Sequence, residues 1–179
     1  MFARFFGGGK APRGNSAVDV YYSPAADLEK VDISILAAAP KNSKINVASF
    51  VLSNRKIVEA LAERAAAGCT LRIYLDPGEL KQLALTADHP LVVLSHAKRV
   101  TIRVKAAHTP LMHLKGYSIG GSVLRSGSAN ISIDGLRHQD NDIVLIKDAA
   151  AAAKFDANFE KIWVRADNWV FQGIYAAAA

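Results

Sequence analysis

The sequence predicts an α/β fold, in which a mixed β-sheet is flanked by helices within a single domain. Three observations support this prediction. The chain has 179 residues, of which 51% are apolar, and this is enough for one substantial core. In its first half, short β-branched runs alternate with helical patterns, as in parallel β-α units. The pair Gly120-Gly121 then separates two short apolar runs and predicts a hairpin.

The strands follow from runs of β-branched and aromatic residues. Val100, Ile102 and Val104 alternate with polar residues, which is typical of a strand with one buried face. The predicted strands are 18–22, 45–51, 70–75, 100–105, 111–119, 122–126 and 143–146.

The helices follow from apolar stripes at helical spacing and from capping residues. Ser23 is predicted to cap the first helix, with Pro24 at its first position. Ser53 or Asn54 caps the second helix, which Gly68 ends. A third helix is predicted at 79–85, a short one is an option at 92–98, and Asp148 caps a long one at 149–163.

The chain divides into a domain with short tails. Residues 1–15 are predicted to be a flexible arm, because they are rich in glycine and lack periodicity. Within them, Gly7–Lys10 lacks the spacing of a phosphate-binding loop. Residues 16–170 form the predicted domain, and residues 171–179 a tail ending in four alanines.

Several classes of protein are excluded by composition. No apolar run reaches the roughly 18 residues needed to span a bilayer. The first residues do not resemble a secretory signal, so we expect a cytoplasmic protein unless a leader is missing. The single cysteine, Cys69, excludes an internal disulfide and a cysteine-rich zinc site, and is expected to be a buried small hydrophobe.

The chain is basic, which makes a polyanionic partner such as nucleic acid plausible. Lys and Arg number 22 against 16 Asp and Glu, giving a net charge of +6. Arg99, Arg103 and Lys105 on the polar face of one strand are candidate nucleic-acid contacts, as are Arg55 and Lys56 at a helix start. The alternative is an edge strand kept soluble by charge.

The segment from His113 to Asp140 carries the candidate chemistry. His113 and Lys115 are two residues apart in a predicted strand, so their side chains are expected on one face, roughly 6–7 Å apart. Ser128 and Asn130 follow the next strand, which the hairpin returns beside the first. An imidazole, a cation, a hydroxyl and an amide together suit a phosphodiester. The alternative is that each is an ordinary strand or turn residue.

This pattern resembles the phospholipase D superfamily, in particular its small, single-motif bacterial nucleases. The resemblance is carried by His113-Leu114-Lys115, by Gly127-Ser128-Ala129-Asn130, and by the strands and helices of about residues 16–165. The motif aspartate is replaced by Gly120, and Asp140 stands where relatives commonly carry glutamate. Asp140 is expected to orient the imidazole.

The resemblance implies a phospholipase D-like fold and a metal-independent phosphodiesterase without a cofactor. It further implies a homodimer, either alone or within a larger assembly, in which two copies of His113 act on DNA or RNA, one as nucleophile and the other as acid and base. Lys115, Ser128 and Asn130 would hold the phosphoryl oxygens. Two alternatives stay open. One is a nucleic-acid-binding subunit of a larger complex that has lost catalysis, and the other is phospholipid hydrolysis.

Overall fold

An eight-stranded mixed sheet organises residues 17–173, the part of the chain that this computed structural model describes. The strands are β1 (Ala17–Tyr22), β2 (Lys44–Ser49), β3 (Thr70–Leu75), β4 (Val100–Val104), β5 (Lys115–Ile119), β6 (Val123–Ser126), β7 (Asp142–Lys147) and β8 (Trp169–Val170). The helices are α1 (Leu28–Ala37), α2 (Arg55–Ala66), α3 (Pro77–Lys81), α4 (Pro90–Ser95), α5 (Ile133–Arg137) and α6 (Ala149–Trp163). The predicted arm, 1–15, and most of the predicted tail lie outside the described residues.

The strand order is β1-β7-β6-β5-β2-β3-β4-β8. β2, β3 and β4 are parallel, and every other neighbouring pair is antiparallel. The carboxyl ends of β2, β3 and β4 therefore lie at the same edge as the start of β5, the end of β6 and the start of β7. We call this the carboxyl edge and the opposite side, where β2–β4 begin, the amino edge. The predicted mixed α/β sheet is confirmed.

Local capping and apolar periodicity explain most helices. Asn54 caps α2 by accepting a hydrogen bond from the Ile57 N–H at 3.2 Å. Asp148 caps α6 by accepting one from the Ala151 N–H at 2.7 Å, and α6 has the predicted bounds. Gly68 ends the α2 segment with a φ of 92°, as predicted.

The main core lies between the sheet and helices α1, α2 and α4. Cys69 is fully buried there, as predicted. A smaller aromatic cluster, which includes Phe159 and Trp163, lies under α6 on the opposite face of the sheet. Phe171 is buried in the main core, so the packed structure continues past residue 170. Within residues 17–173, no helix combines the length and apolarity needed to cross a membrane.

The predicted cap of the first helix is wrong. α1 begins at Leu28 with Asp27 as its N-cap, whereas Ser23 and Pro24 form a turn joined by a cis peptide bond. The Ser23 hydroxyl donates to the Gln139 carbonyl oxygen at 2.6 Å. Ser23 therefore bonds to a segment that is distant in the sequence, and the residues around Ser23 do not indicate this partner.

Other boundaries also differ from the prediction. β5 begins at Lys115 rather than at residue 111, because the Met112 N–H donates to the Asp76 carboxylate at 2.9 Å and takes that segment out of the sheet. α3 spans Pro77–Lys81 instead of 79–85, since Asp76 caps it through the Gly78 N–H. The short elements α5 and β8 were not predicted.

Candidate active site

The segment before β5 places His113 and Lys115 at the carboxyl edge. His113 is exposed and precedes the strand, so the two residues do not share a strand face as the sequence predicted. The Lys115 ammonium donates to the carbonyl oxygen of His113 at 2.9 Å. The ring of Phe50, directly after β2, lies 4.6 Å from the imidazole and 4.9 Å from the Lys115 Nζ. One aromatic ring thus supports both side chains.

The environment of Lys115 affects its titration. Burial lowers the pKa of its amine, and the nearby Glu79 carboxylate partly opposes that effect. Lys115 therefore supplies a cation in a partly desolvated position, where its attraction to an anionic oxygen is stronger than in open water. Glu79 was not predicted as part of this region, because only the fold brings α3 beside β5.

The loop after β6 places Ser128 and Asn130 at the same edge. Gly127 has a φ of 138°, and a Cβ there would overlap the carbonyl oxygen of Asp142. The Ser128 hydroxyl donates to the Asp142 carboxylate at 2.6 Å and accepts from the Asp142 N–H at 2.9 Å. Asn130 has a buried Oδ1 without a hydrogen-bond partner among the described residues. Such an atom is rare in folded proteins and is typical of a site that another group completes.

The two motif segments are joined through the loop that follows β2. The Phe50 N–H donates to the Leu114 carbonyl oxygen at 2.8 Å. The next residue, Val51, accepts from the Ile131 N–H at 3.2 Å. The segment of His113 and Lys115 and the segment of Ser128 and Asn130 therefore attach to consecutive residues, and the structure brings all four to one region.

Asp142 is the carboxylate that bonds to Ser128. Asp140, the residue selected from the sequence to orient the imidazole, is exposed. Asp142 begins β7, and β7 pairs with β6, which places its carboxylate beside Ser128. Asp142, which directly precedes the predicted strand 143–146, was not selected from the sequence. The available signal was its position at the start of a strand neighbouring β6.

Gly120, which replaces the motif aspartate, lies away from these groups. It follows β5 at the amino edge, whereas Lys115 begins β5 at the carboxyl edge. Five strand residues separate them by about 16 Å. Gly120 and Gly121 have φ values of 57° and 65° and form the predicted hairpin turn. A carboxylate at position 120 would therefore not touch a phosphate held near His113.

The predicted nucleic-acid contacts separate into two groups. Lys105, Arg55 and Lys56 lie at the carboxyl edge, after β4 and at the start of α2. Lys105 donates to the carbonyl oxygen of Pro110, and Arg55 is exposed and faces Glu59 at 4.0 Å.

Lys56 is the member of this group with a buried partner, because its Nζ lies 2.9 Å from Glu29. Burial alone would raise the pKa of Glu29, but hydrogen bonds from Asn54 and Lys56 outweigh it and lower the pKa below its usual 4.5. Glu29 is therefore held as a carboxylate that neutralises part of this basic group.

The other two basic residues lie elsewhere. Arg99 is exposed at the amino edge, before β4. Arg103 is half-buried under α6, where it donates to the Trp163 carbonyl oxygen at 2.7 Å and stacks on the indole ring. The polar face of β4 was expected to face solvent, but at Arg103 it is covered by α6. β4 is also not an edge strand at this point, because β8 pairs with it.

Among residues 17–173, no three His, Cys, Asp or Glu side chains are placed together as a metal site would require. The candidate site is instead an imidazole, an ammonium group, a hydroxyl and an amide around an open edge. In this set the imidazole can supply a nitrogen that attacks phosphorus. The other groups can place positive charge and hydrogen-bond donors next to the phosphoryl oxygens.

Comparison with protein families identifies the fold. The family model described as "Cardiolipin synthase, PLD-like domain" matches residues 33–163, most of the chain. The protein belongs to the phospholipase D-like family. It is therefore a member of a family of phosphodiesterases and hydrolases. A comparison with curated protein sequences gave no significant match.

Solved structures show the same architecture. Nuc from Salmonella typhimurium, a phospholipase D family member, has 17% identity and a TM-score of 0.71, with 88% of this chain and 99% of that chain covered. NucT from Helicobacter pylori has 16% identity and a TM-score of 0.74, with 87% and 99% covered. TrmBL2, an archaeal chromatin protein with a novel mode of DNA binding, has 16% identity and a TM-score of 0.60, with 87% and 55% covered. At these identities the similarity establishes the fold, and the predicted phospholipase D-like fold is confirmed.

Proposed function

We propose that this phospholipase D-like protein is a phosphodiesterase that hydrolyses DNA or RNA without a metal ion. The observation that carries the proposal is the placement of His113, Lys115, Ser128 and Asn130 at one edge of the sheet, attached to a single loop. The similarity to Nuc and NucT, which covers 88% and 87% of this chain, supports it. The net charge of +6 and the basic residues Lys105 and Arg55 at the same edge favour a polyanionic substrate.

The reaction needs two imidazoles, and each chain supplies one at this site. In the first step a nitrogen of His113 attacks phosphorus and forms a P–N bond, while the P–O bond to the leaving oxygen breaks. That oxygen takes a proton from His113 of the partner subunit. Water then attacks phosphorus, gives its proton to His113 of the partner subunit and breaks the P–N bond. The products are a phosphate monoester and a free hydroxyl.

The remaining groups stabilise the phosphoryl oxygens. The Lys115 ammonium is placed to donate to an oxygen on which negative charge accumulates. The Ser128 hydroxyl donates to Asp142 in the structure, and it donates to a second such oxygen once its single proton turns from Asp142 to the bound phosphate. Asp142 holds the Ser128 hydroxyl in place before substrate binds. The Asn130 amide, whose Oδ1 has no partner among the described residues, completes the set.

The surface around His113 supports a second copy of the chain as the partner. Leu111 and Leu114 beside His113 are 64% and 40% exposed, and Ile133 on α5 is 54% exposed. Large apolar side chains at a polar edge are typical of a surface that a partner covers. A two-fold axis through this surface would bring the two His113 residues together.

A second candidate is binding of nucleic acid without catalysis. It is favoured by the similarity to TrmBL2, the chromatin protein with DNA binding. This candidate requires the basic edge but no reaction at His113. The two candidates therefore differ in turnover and not in affinity.

The test is cleavage of labelled single-stranded and duplex oligonucleotides in excess EDTA by wild type, His113→Asn and His96→Asn. His96 is exposed at the amino edge and serves as the matched control. We expect cleavage by wild type and His96→Asn, and a loss of at least ~10³-fold in His113→Asn. Sedimentation should show a dimer.

Two outcomes would replace the proposal. Oligonucleotide binding without cleavage by the dimeric wild type would favour the binding function. Release of head group from phosphatidylglycerol vesicles, with oligonucleotides left intact, would instead assign phospholipid hydrolysis.

A further inference from the structure

A completely buried ion pair links helix α1 to strand β6. Arg125 and Asp32 are both 0% exposed. The Arg125 Nε donates to Asp32 Oδ1 at 3.0 Å, and Nη2 donates to Oδ2 at 2.8 Å, which is a two-pronged contact. The Tyr117 hydroxyl donates to the same carboxylate at 2.8 Å. Asp32 thereby fixes the plane and orientation of the guanidinium group.

The remaining guanidinium nitrogen faces the candidate site. Arg125 Nη1 donates to the carbonyl oxygen of Lys115 at 2.9 Å and to that of Ala129 at 3.3 Å. Lys115 belongs to the segment that carries the imidazole, and Ala129 lies between Ser128 and Asn130. A single nitrogen atom therefore contacts the backbone of both motif segments.

A stabilising role does not account for this arrangement. The free energy needed to remove two charges from water offsets much of the free energy that their attraction provides. Apolar residues of similar volume therefore often give a protein the same stability. An apolar pair could join α1 to β6, but it could not donate to two carbonyl oxygens that belong to different segments. The contacts that only arginine can make are the contacts to the motif.

We propose that Arg125 is a positioning residue that sets the spacing between the His113–Lys115 segment and the Ser128–Asn130 segment, with Asp32 as its anchor. The role in catalysis rests on the phosphodiesterase function proposed above. The role in local order does not. Spacing matters because a misplacement of about 1 Å in a catalytic group lowers the rate by roughly 100-fold.

Another arginine of the sheet provides a contrast. Arg72 on β3 is also largely covered, and it contacts Asn46 and Glu160 and stacks on Phe159 under α6. None of these partners belongs to the motif segments. Arg72→Met therefore removes a packed arginine without touching the site and serves as the control for general destabilisation.

The main variant is Asp32→Leu combined with Arg125→Met, which removes both charges and retains apolar volume. We expect a folded protein whose kcat on an oligonucleotide falls about 100-fold while KM stays within about threefold, because the variant leaves the basic residues Lys105 and Arg55 of the carboxyl edge in place. Amide hydrogen exchange should accelerate at least ~10-fold at residues 113–116 and 128–131 and stay unchanged in β3. Arg72→Met should leave kcat within about twofold.

Arg125→Lys keeps the proposal testable if the double variant does not fold. Its ammonium can pair with Asp32 but cannot hold both carboxylate oxygens and both carbonyl oxygens. We expect a fall in kcat of about tenfold, intermediate between wild type and the double variant. Unchanged kcat in either folded variant, or unchanged exchange in the two segments, would overturn the proposal. If wild type cuts no oligonucleotide, the proposed function fails, and the exchange measurement alone decides whether Arg125 orders the segments.

Discussion

The two edges of the sheet are built in different ways. At the amino edge the chain reverses through short local turns, as at Gly120-Gly121, where the Ser122 N–H bonds to the Ile119 carbonyl oxygen at 3.2 Å. At the carboxyl edge the backbone leaves the sheet in longer loops, and side chains distant in sequence hold them. Asp76, for example, fixes Met112, and Asp142 fixes Ser128.

This difference shows where the reacting groups can be located. An apolar cavity of about 500 Å³ lies toward the amino edge and is lined by residues of α1 and of β1, β5, β6 and β7. The carboxyl edge holds the exposed imidazole of His113, the partly buried ammonium of Lys115 and the amide oxygen of Asn130, which has no hydrogen-bond partner within residues 17–173. Position 120 belongs to the first edge, so its departure from the family motif does not remove a group of the candidate site.

The largest difference in kcat between a variant at the carboxyl edge and one at the amino edge is expected for serine substitutions. Ser128→Ala should lower kcat by about 10²–10³-fold, because a hydroxyl that donates to a phosphoryl oxygen is lost. Ser122→Ala, an exposed serine at the amino edge, should leave kcat unchanged. Steady-state kinetics in EDTA compare the two. Equal rates would show that Ser128 does not contact the transition state.

A glycine pair tests how tightly each edge is packed. Gly127→Ala should lower the free energy of unfolding by about 2–4 kcal/mol, since its Cβ meets the Asp142 carbonyl in addition to the strain of a positive φ. Gly121→Ala has open space around the new Cβ and should lower it by about 1 kcal/mol. Urea unfolding followed by circular dichroism measures both. A larger loss for Gly121→Ala would contradict the comparison.

The pH dependence of the rate reports on Lys115. Burial lowers the pKa of its amine below the ordinary 10.5, and the Glu79 carboxylate partly opposes this shift. Because the reaction needs the ammonium form, the rate should decline as the pH rises, and the decline should begin at a lower pH than for an ordinary lysine. In Lys115→Arg this decline should disappear, because guanidinium stays charged, while the plateau rate falls by on the order of tenfold. Lys44→Arg at the amino edge should reproduce the wild-type profile. A decline that persists in Lys115→Arg would assign it to another group.

The smallest effect is expected from restoring the motif residue at the hairpin. Gly120→Asp should change kcat by less than about twofold, since the new carboxylate lies about 16 Å from Lys115. The free energy of unfolding should fall by no more than about 1 kcal/mol, because aspartate tolerates a positive φ better than most residues. Kinetics and urea unfolding check both values. A large gain in rate would mean that position 120 acts on the site from a distance.

Local patterns in the sequence predict most of the architecture but little of the site geometry. The apolar stripe and the Asp148 cap predict α6, and β-branched alternation predicts β3 and β4. The spacing of His113, Lys115, Ser128 and Asn130 predicts which residues meet. These features depend on residues close in the chain.

The errors concern residues whose partners are distant. Ser23 has the pattern of a helix cap, but its hydroxyl bonds to Gln139, 116 positions away. No role was assigned to Arg125 from the sequence, and its partner Asp32 lies 93 positions away. Met112 leaves the sheet because of Asp76. No local pattern contains this information, since each partner is supplied by the tertiary fold.

The pairing of β1 with β7 has a consequence for how the chain folds. The first strand of the described structure pairs with a strand about 120 residues later, a separation that raises contact order and slows folding. During synthesis β1 would remain without its partner strand for on the order of ten seconds, until β7 has left the ribosome. Throughout that interval Val18, Val20 and Tyr22 offer an unpaired apolar edge to any neighbouring strand. We therefore expect the yield of folded protein to depend more on this first strand, through aggregation of nascent chains, than on any residue of the candidate site.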